Sequence, residues 1–243
     1  MKISIGHVLA AMVLLIVAAA RPAAGAEGDA TVIATLLRFV DALEAGDART
    51  LEQLVSAGDT AAQERSRRIF VDLAVAQKGL EKAALSKFGE EGKKFRCGFD
   101  LIVNMADRKT IASAKVSYDD PGRSARIEKT GELAPMLLRR GTDGQWQVVL
   151  DPIENEEDPE HFYGPPPYPQ PGMMRFAALA AIKANRYNAI VQAFQQTQNR
   201  IESGDLPTAA AAQAELMAKL SAADADAVKA KAAVPSGRLK DRP

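Results

Sequence analysis

Cysteine and histidine, which supply thiolate nucleophiles, general bases and most zinc ligands, are few in this chain. Its 243 residues include one cysteine, Cys97, and two histidines, His7 and His161. A catalytic thiolate needs an activating base and an electropositive setting, and a zinc site needs several Cys or His ligands at fixed spacing. The sequence has neither arrangement, so it predicts no catalytic residue, no metal ligand and no cofactor.

Oxygen ligands for a hard cation are concentrated in one short acidic run, which consists of Glu154, Glu156, Glu157, Asp158 and Glu160. The spacing of these carboxylates does not match the EF-hand loop, in which the ligands recur at fixed positions. Several prolines follow within ten residues, beginning at Pro165. A charged run next to prolines is typical of a solvated linker, and this is the interpretation that we adopt.

Cys97 lies in a segment whose apolar residues occupy alternate positions. These positions hold Phe95, Cys97, Phe99, Leu101, Val103 and Met105. Successive side chains of a strand point to opposite faces of a sheet, so this spacing predicts a strand with one apolar face. Cys97 is therefore expected to point inward as a structural residue.

Period-two patterning continues to Asp151 and predicts four more strands. They cover residues 110–118, 125–129, 133–140 and 146–150, with turn signals at 119–122 and 141–144. Short turns between strands predict an antiparallel meander. Tyr118 and Trp146, the only tryptophan, are expected on the inward face, and together with Phe99 they are the candidates for lining a ligand pocket.

The segment before these strands predicts three helices. Gly46 ends the first and Asp47 caps the second, because glycine favours helix C-termini and an aspartate accepts hydrogen bonds from backbone N–H groups at a helix start. Residues 60–89 carry a narrow apolar seam at helical spacing and predict the third. The apolar faces of these helices must be buried, and we expect the strands that follow to pack against them.

The first 25 residues resemble a secretory signal peptide. They contain Lys2, a short apolar run from Val8 to Ala20 and small residues near a cleavage point. The apolar run is too short to favour a membrane span. We therefore expect a secreted or periplasmic protein with no membrane span after signal removal, and the alternative is an uncleaved N-terminal anchor.

The charge balance argues against a nucleic-acid partner. Thirty-one Lys and Arg residues match thirty-one Asp and Glu residues, so the formal net charge is zero. Loss of the signal peptide would remove Lys2 and Arg21 and leave the chain slightly acidic. Nucleic-acid binding requires a basic footprint, which this composition does not provide.

The C-terminal third follows a different pattern. Residues 154–172 form an acidic and proline-rich linker, residues 173–231 predict a helical hairpin, and residues 232–243 predict a disordered tail. Two helices bury little surface by themselves, so the seam of the hairpin must contact something else. Tyr187, Ile190 and Phe194 are therefore the candidates for contact with a protein partner or a second copy of the chain.

The segments FVDALEAGDARTLEQLVS and LLRRGTDGQWQVVLDP, within three helices followed by strands, resemble the nuclear transport factor 2-like (SnoaL-like) superfamily. The resemblance covers residues 29–153 and implies an α+β, cystatin-like cone, with three N-terminal helices on a curved antiparallel sheet. Members include isomerases, cyclases, dehydratases and non-catalytic binding domains, so the resemblance does not select an activity. Asp100 has the opposite parity to Phe99, and we carry no catalytic residue over from the family.

Together these observations predict an exported, non-enzymatic binding or accessory protein, with the cone as scaffold and the hairpin as interaction element. The alternative is a small-molecule isomerase, a hydratase-type enzyme or a ligand carrier that uses the cone interior. A filled interior would favour the first function, and an open pocket with convergent polar groups would favour the second.

Overall fold

The computed structural model describes residues 24–58, 60–95, 97, 108–120, 122–128, 135–150 and 171–234, with side chains from residue 28 in the first range and from residue 178 in the last. The helices are α1 (Ala24–Ala45), α2 (Ala48–Leu54), α3 (Ala61–Phe88), α4 (Glu90–Lys93), α5 (Arg108–Ala112), α6 (Pro171–Ser203) and α7 (Ala209–Ala233). The strands are β1 (Val116–Asp120), β2 (Ser124–Ile127), β3 (Met136–Arg140) and β4 (Trp146–Val149). Most of the predicted signal peptide, Phe99, Asp100, the linker up to residue 170 and the tail from residue 235 lie outside the described residues.

The predicted fold class is wrong. The described chain is mainly helical, and its helices both precede and follow one small four-stranded antiparallel sheet. Phe95 and Cys97 are buried as their spacing suggested, but they pack with a cluster of helical residues and neither lies in a strand. Residues 108–112 form helix α5 where the second strand was predicted to begin. Burial of alternate side chains does not require a sheet, because an irregular segment that packs against helices also has one buried side.

The breaks between the first helices follow from the residues that the sequence places there. Gly46 has a φ of 65°, a left-handed conformation that favours glycine. The Asp47 carboxylate then accepts a hydrogen bond from the Thr50 N–H at 3.1 Å and caps α2. Thr60 and Gln63 form a reciprocal capping box at the start of α3. The predicted stop at Gly46 and the predicted cap at Asp47 are confirmed.

The sheet is a meander in the order β1-β2-β3-β4. Leu138 pairs with Val148 across β3 and β4, and both are fully buried. They belong to the first core cluster, in which the sheet packs with α1, α2, α5 and part of α3. The Ser56 N–H also donates to the Val148 carbonyl at 2.8 Å, which ties the end of α2 to the edge strand β4.

Helix α3 separates two core clusters. Val71 and Ala74 belong to the cluster that contains the sheet, whereas Leu73, Leu80 and Ala84 belong to the cluster that contains α6 and α7. A helix that is apolar on more than one face is buried on each of them. α3 is therefore the element that joins the sheet to the C-terminal hairpin.

The C-terminal hairpin consists of α6 and α7, and Thr208 caps α7 by accepting from the Ala211 N–H. Ile190 and Phe194 are 2% and 0% exposed and pack with α3, and Tyr187 lies partly buried against the same cluster. The surface that covers this seam is thus α3 of the same chain. Among the described helices, none is both long and apolar enough to cross a membrane.

Candidate functional site

Two of the three predicted pocket residues lie together at the inner face of the sheet. The rings of Tyr118 on β1 and Trp146 on β4 have their centroids 6.2 Å apart and are tilted by 50°. β1 and β4 are the two edge strands, so this contact requires a sheet that curves toward its inner face. Phe99, the third predicted residue, lies outside the described residues.

Tyr118 is fixed by the first helix. Its hydroxyl donates a hydrogen bond to the Asp29 carboxylate at 2.9 Å. Gly28 lies so close that a Cβ atom there would be 2.7 Å from the Tyr118 hydroxyl oxygen. Burial, followed by the hydrogen bond and negative charge of Asp29, raises the pKa of Tyr118 to about 12. The phenol is therefore a protonated donor at neutral pH and is a poor base.

The Trp146 ring packs beneath the guanidinium group of Arg140. The indole is 4% exposed, and the guanidinium carbon of Arg140 lies 5.2 Å from its ring centroid. This distance is within the range of a cation–π interaction. The Trp146 Nε1–H is buried, and no acceptor for it is found within the described part of the chain.

Arg140 also lines an open cleft of about 710 Å³ at one end of the sheet. The lining consists of Asp120, Gly122, Arg123, Ser124, Arg139, Arg140, Gly141 and Thr142. These residues lie in or directly beside the β1–β2 and β3–β4 connections, which a four-stranded meander brings to the same end. We call this feature the arginine cleft.

Each connection is held by its own backbone. The Arg123 N–H donates to the Asp120 carbonyl at 2.9 Å, and Gly122 has a φ of 86°. In the other connection the Gly141 N–H donates to the Gln145 carbonyl at 2.8 Å, and Gly144 has a φ of 77°. The glycines allow these left-handed positions at no steric cost.

The electrostatics of the arginine cleft favour an anion. Its lining residues include three arginines and one acidic residue, Asp120, and the Asp143 carboxylate lies beside Gly141. The Arg140 N–H donates to the Arg123 carbonyl at 2.8 Å, which makes these residues cross-strand neighbours of like charge. Such a pair lowers the stability of a sheet unless an opposite charge is near. Arg126 on the same sheet is instead paired with Asp119 at 3.2 Å.

The arginines were not predicted as site residues. The signal that could have identified them is their position, since Arg139 and Arg140 directly precede one turn signal and Arg123 directly follows the other. A meander places both turns at one end of the sheet, so Arg123 and Arg140 come together once the register is known, whereas Arg139 leaves β3 on the opposite face. Within the described ranges, no group of three or more metal-ligating side chains comes together.

No family model matches this chain, and neither a curated protein nor a solved structure matches it. The resemblance to the nuclear transport factor 2-like superfamily therefore has no support, and the site has to be interpreted from its own residues.

Proposed function

We propose that this protein is an exported binding or accessory protein rather than an enzyme, and that it holds an anionic partner in the arginine cleft. The observation that supports this function is the proximity of Arg123 and Arg140, which are joined by a backbone hydrogen bond and line one open end of the sheet. A guanidinium group stays protonated at all physiological pH values. It is thus suited to binding a fixed negative charge and is unsuited to transferring protons.

The helical part of the molecule serves as the scaffold in this proposal. α3 is buried against the sheet cluster on one side and against the hairpin cluster on the other. The hairpin thereby supports the sheet indirectly, through a helix that it holds in place. Its role as an interaction element is limited to side chains that turn away from α3.

Salt elution of the purified full chain from a phosphocellulose matrix tests the proposed function. Arg123→Gln with Arg140→Gln should lower the salt concentration at elution, because phosphate contacts by arginine are salt-dependent. The matched control is Arg38→Gln with Arg49→Gln, which removes the same charge from exposed helical positions. Equal shifts for both double variants would show that the cleft is not the anion contact.

Export is tested separately by the N-terminus of the protein recovered from the producing cells. Mass spectrometry should find a mature N-terminus between Arg21 and Glu27, as the small-residue boundary predicts. An intact Met1 on membrane-bound protein would contradict export with cleavage.

A further inference from the structure

Building on the proposed function, we propose that the arginine cleft binds one oxyanion group of a small molecule, a phosphate, sulfate or carboxylate, between Arg123 and Arg140. The first support is the pairing of these two residues across neighbouring strands. Cross-strand partners have Cβ atoms about 5 Å apart, which suits two guanidinium groups that share one anion. Neither arginine has a carboxylate partner among the described residues.

The second support is the fixed orientation of Arg140. Its guanidinium stacks on Trp146, whose indole is held in the core and cannot move freely. Stacking uses the face of the guanidinium and leaves its N–H edge available for an oxyanion. An arginine that is already oriented loses less conformational entropy when it binds a ligand.

The third support is the lining of the remaining wall. Ser124 and Thr142 also line the cleft, and the Gly122 backbone has open space beside it. The Asp120 carboxylate lines the cleft as well and repels an anion, but the guanidinium groups of Arg123 and Arg140 outnumber it. The cleft volume of about 710 Å³ lies in the range of small-molecule sites.

The chain carries a reporter for this binding, because Trp146 is its only tryptophan and lies beneath Arg140. The full chain is titrated separately with sodium phosphate, sodium sulfate and sodium acetate, with sodium chloride holding the ionic strength constant. At least one of these anions should produce a saturable change in tryptophan fluorescence. The anion with the lowest midpoint identifies which oxyanion the cleft prefers.

Variants locate the binding. Arg123→Gln should raise the dissociation constant at least about tenfold, since a charge-assisted contact contributes that much. Arg140→Gln should do the same in isothermal titration calorimetry, which does not depend on the altered environment of Trp146. Arg126→Gln, on the same sheet but outside the cleft, should change the constant by less than about twofold. Circular dichroism melting curves verify that each variant is folded.

Three outcomes would overturn the inference: no saturable response to any of the three anions, equal weakening by Arg126→Gln and Arg123→Gln, or no weakening by Arg123→Gln. If the phosphocellulose test succeeds while every small anion fails, the partner is an extended polyanion, and the proposed function stands without this ligand class. If both tests fail, the proposed function is rejected as well.

Discussion

At the residue scale, the arginine cleft and the aromatic pair are linked through Arg140. This side chain lines the cleft, stacks on Trp146 and lies near enough to Tyr118 for its charge to oppose the rise in the pKa of that phenol. The inward position of Trp146 follows from alternate spacing along β4. The proximity of Arg123 to Arg140 could not be predicted from the spacing within one strand, because it depends on the register between β2 and β3.

Tyr118→Phe tests the fixation of Tyr118 by Asp29. At neutral pH the variant should lose about 0.5–1.5 kcal/mol in the free energy of unfolding, since it loses one hydrogen bond. The pKa of Tyr118 rises from 10.0 to about 12 on folding, so its protonated form is favoured in the native state. This contribution is fully present below pH 10 and is lost as the pH rises through about 12.

Urea unfolding of both proteins between pH 8 and pH 12 measures this contribution. The wild-type protein should lose its advantage over Tyr118→Phe in the upper part of the range. A difference that stays constant, or that grows above pH 10, would contradict the assigned hydrogen bond.

Among the secondary-structure elements, short sequence signals predict where the helices begin and end better than they predict the strands. Gly46, Asp47 and Thr60 act through their own backbone neighbourhood, so their effects can be predicted from sequence. Phe95 and Cys97 differ, because only the position of α3 determines what they pack against. The apolar seam of α6 was also predicted from its spacing, but the sequence did not predict that α3 packs against this seam.

The seam of α6 includes one polar residue that lies fully buried, Thr197. Its hydroxyl oxygen has no hydrogen-bond partner among the residues that the structure describes. Thr197→Val keeps the shape of the side chain and removes the unsatisfied hydroxyl, so it should raise the free energy of unfolding by about 1 kcal/mol.

Thr197→Ser is the matched control, because it keeps the hydroxyl and loses a buried methyl group; it should lower the stability. Both free energies come from urea denaturation. A loss of stability in Thr197→Val would show that the hydroxyl has a favourable contact, and the description of the seam would have to change.

At the scale of the whole molecule, the sheet and the hairpin depend on each other through α3. Leu73, Leu80 and Ala84 are 1%, 0% and 0% exposed in the complete chain and pack with the hairpin cluster. The resemblance implied a cone within residues 29–153, which would not need the last third of the chain to complete its sheet. That expectation assumed a larger sheet than the described residues contain.

Truncation after residue 170 tests this dependence. Removal of α6 and α7 would expose the apolar side chains on one face of α3, so the shortened chain should aggregate or unfold without a cooperative transition. Size-exclusion chromatography and thermal melting followed by circular dichroism measure both properties. A monomeric, cooperatively unfolding product would show that the sheet and the first helices form an independent domain.

Binding of an anion at the turn end of the sheet can be observed residue by residue in amide nuclear magnetic resonance spectra of the full chain. Sodium sulfate or sodium phosphate is added at constant ionic strength to ¹⁵N-labelled protein. The largest shifts should occur at the backbone amides of Arg123, Ser124, Gly141 and Thr142 and at the indole N–H of Trp146. Shifts that are uniform over the chain, or that concentrate on the helices, would contradict the claim.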